Sequence, residues 1–583
     1  MRGAPHNASA GTVSASLAGT SLSDPTKAVS SAYTLPASHR ALTYPRRASV
    51  LRARASNGAH ENQKQKGDLM STSSQHSVLA RVLLASVALA GFSEARGQAV
   101  TTEGNVKLRP VIEGIDLVTD INVVGGSMYV TTQPGYLLRK SLSSGKLEIF
   151  LDLTKQVGRL GSHIPSLPGL GYPVAETYDE RGLLGFAPDP AFNGDGRFWV
   201  WYTNISERSS NPPNFFQWLT STSQPWDMSQ YDHVGYVVEY QSVHGVPTFQ
   251  RTVLRIKRPY FNHTGFSSLV WSPELNTLVI GLGDGGSEYD PNNIAQDDNQ
   301  LSGKLLKIDL GKLRGRDFTK SPPVATFSDL RNLGVPNGAF TPLVKGLRNP
   351  SKVSWEHVDP AEDGDHWNGD RWIKYLANTG QDTIEFIHAF DSFGLNFGFR
   401  PWEGIFPTSF EIDVPAAPGS VPENDSRVLA YGLEASRLNP SVYRPFVHYT
   451  HLDKKLGPNA NTGSTLYRGK GIPGLNGQLV FTDWISFVQT PKQGLLMRAS
   501  VNRNSLQEPR PVKRFNVNLG EVNFMPGKQP LIFYTAINTD GADRLFIGGF
   551  KDIQFIVNQR NNALGNPPGN PNLAGGVYEV LKN

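Results

Sequence analysis

One unit recurs along this chain: an apolar run of five or six residues, a turn bearing Gly, Pro or Asp, then a second apolar run. "LVTDINVVGGSMYVTTQPGYLLRKS" alternates apolar and polar residues around Gly125-Gly126 and Pro134-Gly135. "RGLLGFAPDPAFNGDGRFWVWYT", "FSSLVWSPELNTLVIGLGDGG", "GLNGQLVFTDW" and "ADRLFIGGF" repeat it. Period-two alternation closed by turn residues reads as β-hairpins. Long amphipathic helical periods are scarce. The 58 Gly and 41 Pro fall mostly at these turns, about one residue in six, which suits short strands and irregular loops. Hairpins repeated from about Val106 to Val580 predict an all-β chain built by radial repetition, a β-propeller, which leaves few exposed edges. A jelly roll or two stacked sandwiches is the rival architecture. Two long loops, Glu207 to Tyr231 and Pro401 to Pro440, interrupt the rhythm, and such loops are where sites are built.

The ends differ from the body. Residues 1–69 hold nine Lys/Arg against three Asp/Glu, are rich in Ser and Ala, and lack a hydrophobic period; they read as a disordered leader or as preceding the true start. Residues 70–99 resemble a secretory signal: Arg81, then the apolar stretch Val82 to Phe92, then the small residues Ala95, Gly97 and Ala99. The stretch is too short to span a bilayer. We therefore expect translation from Met70, export, and a mature start near Gln98–Val100, with an organellar transit peptide as the alternative. Residues 100–583 form the propeller domain. Export would make Asn204, Asn262 and Asn424 glycosylation acceptors.

Cysteine is absent, which removes disulfides, thiolate metal sites and cysteine nucleophiles. The net charge of +5 lies in the leader, and no basic aromatic groove points to nucleic acid. What remains to carry chemistry is a set of loop residues. His263 sits in "YFNHTGFSS", ahead of an apolar run and the turn Gly283-Asp284-Gly285-Gly286. By itself it reads as an ordinary loop histidine. Arg348 in Arg-Asn-Pro reads as a turn anchor, Glu180 as a partner of Arg181, and Glu385 as solvated. GDGG reads as a tight turn rather than a phosphate cradle, because no helix start follows it.

Five segments change that balance: Asp179-Glu180-Arg181-Gly182-Leu183-Leu184-Gly185; Asn262-His263-Thr264-Gly265; Gly283 to Gly286 with Asp290-Pro291; Gly346-Leu347-Arg348-Asn349-Pro350; and Gly380-Gln381-Asp382-Thr383-Ile384-Glu385. In this order the chain resembles the glucose/sorbosone dehydrogenase family over residues 106–580, with "NFGFRPWEG" in support. These are soluble quinoprotein sugar dehydrogenases whose domain is shared by hedgehog-interacting-protein-like proteins. The resemblance implies a six-bladed propeller, oxidation of an aldose or related sugar, pyrroloquinoline quinone (PQQ) as hydride acceptor, a calcium ion beside it, and an external electron acceptor. It implies that His263 is the base, a role suited to a side chain titrating near neutrality. Arg348 and Asn349 would contact quinone and substrate, Glu180 would line the pocket, and Lys492 would bind the quinone. The carbonyls of Gly380 and Gln381, with Glu385, would hold calcium, which prefers oxygen ligands. One departure stands out: "FNVNLGEVNFMPG" lacks the arginine pair that binds cofactor carboxylates in some bacterial members. That favours the alternative, an inactive propeller binding a protein or glycan. A lactonase-type calcium hydrolase would need converging Asn/Asp/Glu ligands, and none can be assigned.

Overall fold

The computed structural model describes residues 100–164, 179–216, 225–359, 371–381, 383–408, 426–451, 453, 456–458, 460–486, 488–524, 527, 530–551, 568–569 and 573–583. The leader, the signal-like segment, Asp382 and Asn424 lie outside these residues. Two units divide the chain at Thr72/Ser73, and the described residues all belong to the second.

That unit is all-β and propeller-like. The first sheet is Val118–Val124, Ser127–Thr132, Tyr136–Ser141 and Leu147–Asp152, each strand antiparallel to the last. The second is Leu183–Pro188, Gly196–Asn204, His233–Val243 and Val246–Arg258. Leu269–Ser272, Thr277–Leu282, Lys304–Ile308 and Phe340–Lys345 make the third, extended by Leu395–Asn396. The fourth is Asn349–Val358, Arg371–Thr379, Ile384–Phe390 and Val447–Thr450. An eight-stranded sheet completes the set. It runs Asn461–Tyr467, Gln478–Ser486, Lys492–Ser500, Val512–Asn518, Thr101–Ile115, Gly575–Lys582, Leu545–Phe550, Leu531–Thr539.

Sequence explains the strands locally. Gly125 and Gly126 both have positive φ, 58° and 71°, as a two-residue hairpin turn requires. Gly196–Asn204, GRFWVWYTN, is the second strand of its sheet and is buried on both faces from Phe198 to Thr203. That is why it reads as a continuous apolar run and not as an alternation. Among the described residues the α-helices are short: Thr154–Val157, Phe327–Asn332 and Ser426–Leu438. Phe327–Asn332 starts on a capping box from Thr326 and Asp329, which satisfies N–H groups that the first turn leaves open. Ser426–Leu438 corrects one expectation, since the stretch read as a long loop, Pro401 to Pro440, contains a helix.

Six strands pack side by side and close on themselves. Val118–Val124 touches Leu183–Pro188, which touches Leu269–Ser272, then Asn349–Val358, Asn461–Tyr467, Leu531–Thr539 and back to Val118–Val124. Buried Asp120 ties this ring together. It accepts Ser267 Oγ at 2.7 Å, Lys352 Nζ at 2.7 Å and the Phe186 N–H at 3.2 Å. Thr101–Ile115 supplies the closure: it pairs antiparallel with Gly575–Lys582 and parallel with Val512–Asn518. Nothing local in the sequence announces a pairing between the two ends of the described chain.

One core group makes the interior pH-sensitive. His388 is fully buried, stacks on Phe397 with ring centroids 3.8 Å apart, and places Nε2 3.1 Å from the Tyr443 carbonyl. Burial above all pulls its pKa down to about 3, helped by Arg444 and opposed by the Tyr443 carbonyl. The unfolded chain protonates this histidine near pH 6.5 and the folded chain does not, so its effect is absent above that pH and grows as pH falls. His388→Phe keeps the stacking and removes the titration. Between pH 6.5 and 3, wild type should lose about 1.4 kcal/mol per pH unit relative to this variant. Parallel urea titrations across that range would show it, and curves of constant separation would refute it.

Candidate functional site

In an antiparallel sheet of four strands, the first strand starts, the second ends and the third starts at the same end. Glu180 precedes Leu183–Pro188, His263 precedes Leu269–Ser272, and Arg348 precedes Asn349–Val358. Asp284 and Glu288 follow Thr277–Leu282, and Gly380-Gln381 follow Arg371–Thr379. Each residue therefore lies at this end of its own sheet, and hydrogen bonds join them into one set.

His263 is the centre. Its φ is +53°, an uncommon conformation for a residue with a side chain, and it is 2% exposed. Arg258 fixes the backbone there, donating to the His263 carbonyl at 2.6 Å and the Gly283 carbonyl at 3.2 Å. Gly283 is required at this crossing: a Cβ would fall 2.2 Å from the His263 carbonyl oxygen and 2.6 Å from that of Arg348. The imidazole Nδ1 lies 2.7 Å from Asp284 Oδ1. That oxygen also accepts the Gly286 N–H at 2.8 Å, so it is the acceptor and Nδ1 carries the proton. Nε2 then keeps its lone pair, and it has no hydrogen bond among the described residues.

Electrostatics act in the same direction. Burial, and then the Arg348 and Arg258 guanidiniums, hold His263 well below the ordinary histidine pKa, with Glu180 opposing. Burial also pushes the Asp284 carboxyl up to about 7, against Arg348, the Gly286 N–H and Arg258. The imidazole is therefore neutral at neutral pH, the state a proton acceptor needs.

Around it stand the polar groups. Asn349 donates from Nδ2 to Glu180 Oε2 at 3.0 Å and accepts the Gly265 N–H at 3.3 Å. Glu180 also accepts from Thr264, through the N–H at 3.3 Å and the hydroxyl, to the Glu180 carbonyl, at 2.8 Å. Arg348 is nearly buried, donates from Nε to Gln381 Oε1 at 2.9 Å and has Nη2 3.7 Å from Glu288 Oε2. Gln381 links back, accepting the Tyr289 N–H at 3.1 Å and donating to Glu288. The set thus offers a neutral imidazole, the Arg348 guanidinium, two carboxamides and three carboxyl groups, which can orient a polyhydroxylated ligand and take a proton from it.

Several sequence expectations need correction. Glu180 does not pair with Arg181. Arg181 is fully buried and binds Asp179 and Asp232, each at 2.9 Å. Glu385 is not solvated; it is fully buried, with Oε1 2.8 Å from His451 Nε2 and Oε2 accepting the Asn461 and Gly380 N–H groups at 2.8 and 3.2 Å. No helix directly follows Gly283 to Gly286, and its aspartate faces the histidine, a role missed at the sequence level. The available signal was position, since Asp284 leaves the hairpin at the end where His263 enters it. Lys492 lines a cavity of about 710 Å3 with Val488, Pro491, Leu519, Phe524 and Pro530. Asn262 is 9% exposed and accepts the Ser287 N–H at 2.9 Å, so its sequon is closed in the folded chain.

Of the residues expected around calcium, Glu385 does not fit as a ligand by its donor chemistry. Glu385 already has N–H or imidazole partners on both oxygens, and among the described residues no group of three or more His, Asp or Glu side chains could hold a metal ion. The quinone fits at its reacting end, where a guanidinium and a carboxamide adjoin a neutral base. Among the described residues, Arg348 is the one cation in this hydrogen-bonded set with side-chain N–H groups turned to the polar face, against carboxylates Glu180 and Glu288. Also among them, no helix is long and apolar enough to cross a membrane.

No family model matches the chain. It is 25% identical over 397 residues to the HIPL1 protein of Arabidopsis thaliana, covering 61% of this chain and 49% of that protein. With the HIPL2 protein of the same plant it shares 26% identity over 248 residues, 40% of this chain and 30% of that one. The chain spans about half, or less, of the length of these curated relatives. Among solved structures it is similar to a glucose dehydrogenase from Thermus thermophilus, with TM-score 0.46, 15% identity, and coverage of 82% and 100%. It is also similar to the soluble aldose sugar dehydrogenase of Escherichia coli in its apo form, with TM-score 0.43, 14% identity, and coverage of 82% and 100%. The two plant proteins match the family resemblance drawn from the five motifs.

Proposed function

We propose that the chain oxidises an aldose or related sugar, with His263 as general base and PQQ as acceptor. The observation that carries this is the buried His263–Asp284 pair: Nδ1 is tied at 2.7 Å and the ring is kept neutral, which leaves Nε2 as a proton acceptor. Asp284 fixes the tautomer and stabilises the imidazole as it gains the proton, as a carboxylate does behind other catalytic histidines. Arg348 and Asn349 would hold the reacting end of the quinone and the sugar oxygen, and Glu180 orients Asn349 through its 3.0 Å bond. When bound, the quinone supplies the hydride acceptor that no side chain provides. We count the eight-stranded sheet as two four-stranded blades, giving six. The ring of six strands supports that count. Secretion is proposed on the signal-like residues 70–99, and the electron acceptor is external.

A second reading keeps a specific observation in its favour. The Arg348 guanidinium against the carboxyl groups of Glu180, Glu288 and Asp284 is a poor match for a cofactor with three carboxylates. On that reading the propeller binds a protein or glycan without redox chemistry. Purified full-length protein, supplied with PQQ and a panel of aldoses, separates the two through reduction of an added dye. Sugar- and quinone-dependent dye reduction is expected; sugar or glycan binding by calorimetry without dye reduction would select the binding module.

A further inference from the structure

We infer that His451, rather than a calcium ion, is the partner that satisfies the buried carboxylate at the Gly380–Glu385 corner. Calcium takes six to eight oxygen ligands whose lone pairs converge. At this corner the carboxylates are wrapped by donors instead. Glu385 is fully buried, with the Gly380 and Asn461 N–H groups on one oxygen and His451 Nε2 on the other. Glu403, also fully buried, receives three backbone N–H groups on Oε1, from Gln381 at 2.7 Å, Ile384 at 3.0 Å and Thr383 at 3.1 Å. Those N–H dipoles turn their positive ends toward the carboxylates, where a cation would have to stand.

The corner packs directly on the candidate site, because Gln381 joins Arg348 on one side and Glu403 on the other. His451 thus braces the turn that holds Arg348, whatever chemistry the site performs. The test is thermal unfolding of the full-length protein in excess calcium and in excess EGTA, with no activity readout. Wild type should melt at the same temperature in both. His451→Ala should melt several degrees lower because Glu385 is left buried without that donor, and His451→Gln should recover much of the loss through its carboxamide N–H. A calcium-dependent rise in wild type that Glu385→Gln abolishes would overturn the inference. So would a His451→Ala variant that melts like wild type.

Discussion

His263→Gln should slow quinone-dependent sugar oxidation by about 10²–10⁴-fold, the usual cost of losing a general base, while the protein stays folded. Glutamine reaches as far as histidine, and its amide N–H can donate to Asp284 Oδ1, which now lies 2.7 Å from Nδ1. The neighbouring bonds from Arg258 to the residue 263 carbonyl are backbone contacts and survive the change. What disappears is the unprotonated Nε2. The loss should fall on kcat more than on KM, because a base acts in the transition state and contributes little to ground-state binding. A folded, quinone-loaded variant turning over at the wild-type rate would make His263 a loop residue held by Asp284 for structural reasons.

Arg181→Met should destabilise the fold by about 3–5 kcal/mol, the range seen when one partner of a buried ion pair is removed. Arg181 is fully buried and makes 2.9 Å bonds from Nε and Nη2 to the two oxygens of Asp179, and from Nη1 to Asp232 Oδ1. A further bond at 2.7 Å reaches the Ser162 carbonyl. Methionine fills similar volume but leaves two buried carboxylates facing each other. Against the cost of burial, Arg181 and His233 together hold Asp232 below the ordinary carboxylate pKa, and without Arg181 that hold weakens. The deficit should therefore shrink as pH falls and the freed carboxyls take up protons. Urea unfolding at neutral and at acid pH measures both effects. A loss below about 1 kcal/mol would mean that the guanidinium is dispensable to this corner.

The two predictions also mark where sequence was informative. His263 and Arg348 were legible because short loop motifs carried them in a fixed order, and the strands because alternation and Gly turns are local signals. Charge partnership was not legible. Glu180 sits beside Arg181 in sequence, yet adjacent residues on an extended chain point to opposite faces; Arg181 turns inward to Asp179 and Asp232 while Glu180 meets Asn349. Glu385 illustrates the same limit from further away, because its partner His451 comes from the segment that follows the last strand of the same sheet. Closure by Thr101–Ile115 depends on residues more than four hundred positions distant. No window of sequence contains either pairing.

On the proposed function, His263 would take the proton of the sugar C1 hydroxyl while PQQ, when bound, would accept the C1 hydride. The most direct test is an anaerobic single turnover: full-length protein loaded with PQQ is mixed with an aldose bearing hydrogen or deuterium at C1, and the quinone absorbance is followed. Reduction of the quinone in step with sugar oxidation is expected, slowed by deuterium in wild type and nearly absent in His263→Gln. Quinone that binds but stays oxidised with every sugar, or reduction that proceeds unchanged in His263→Gln, would contradict the proposal.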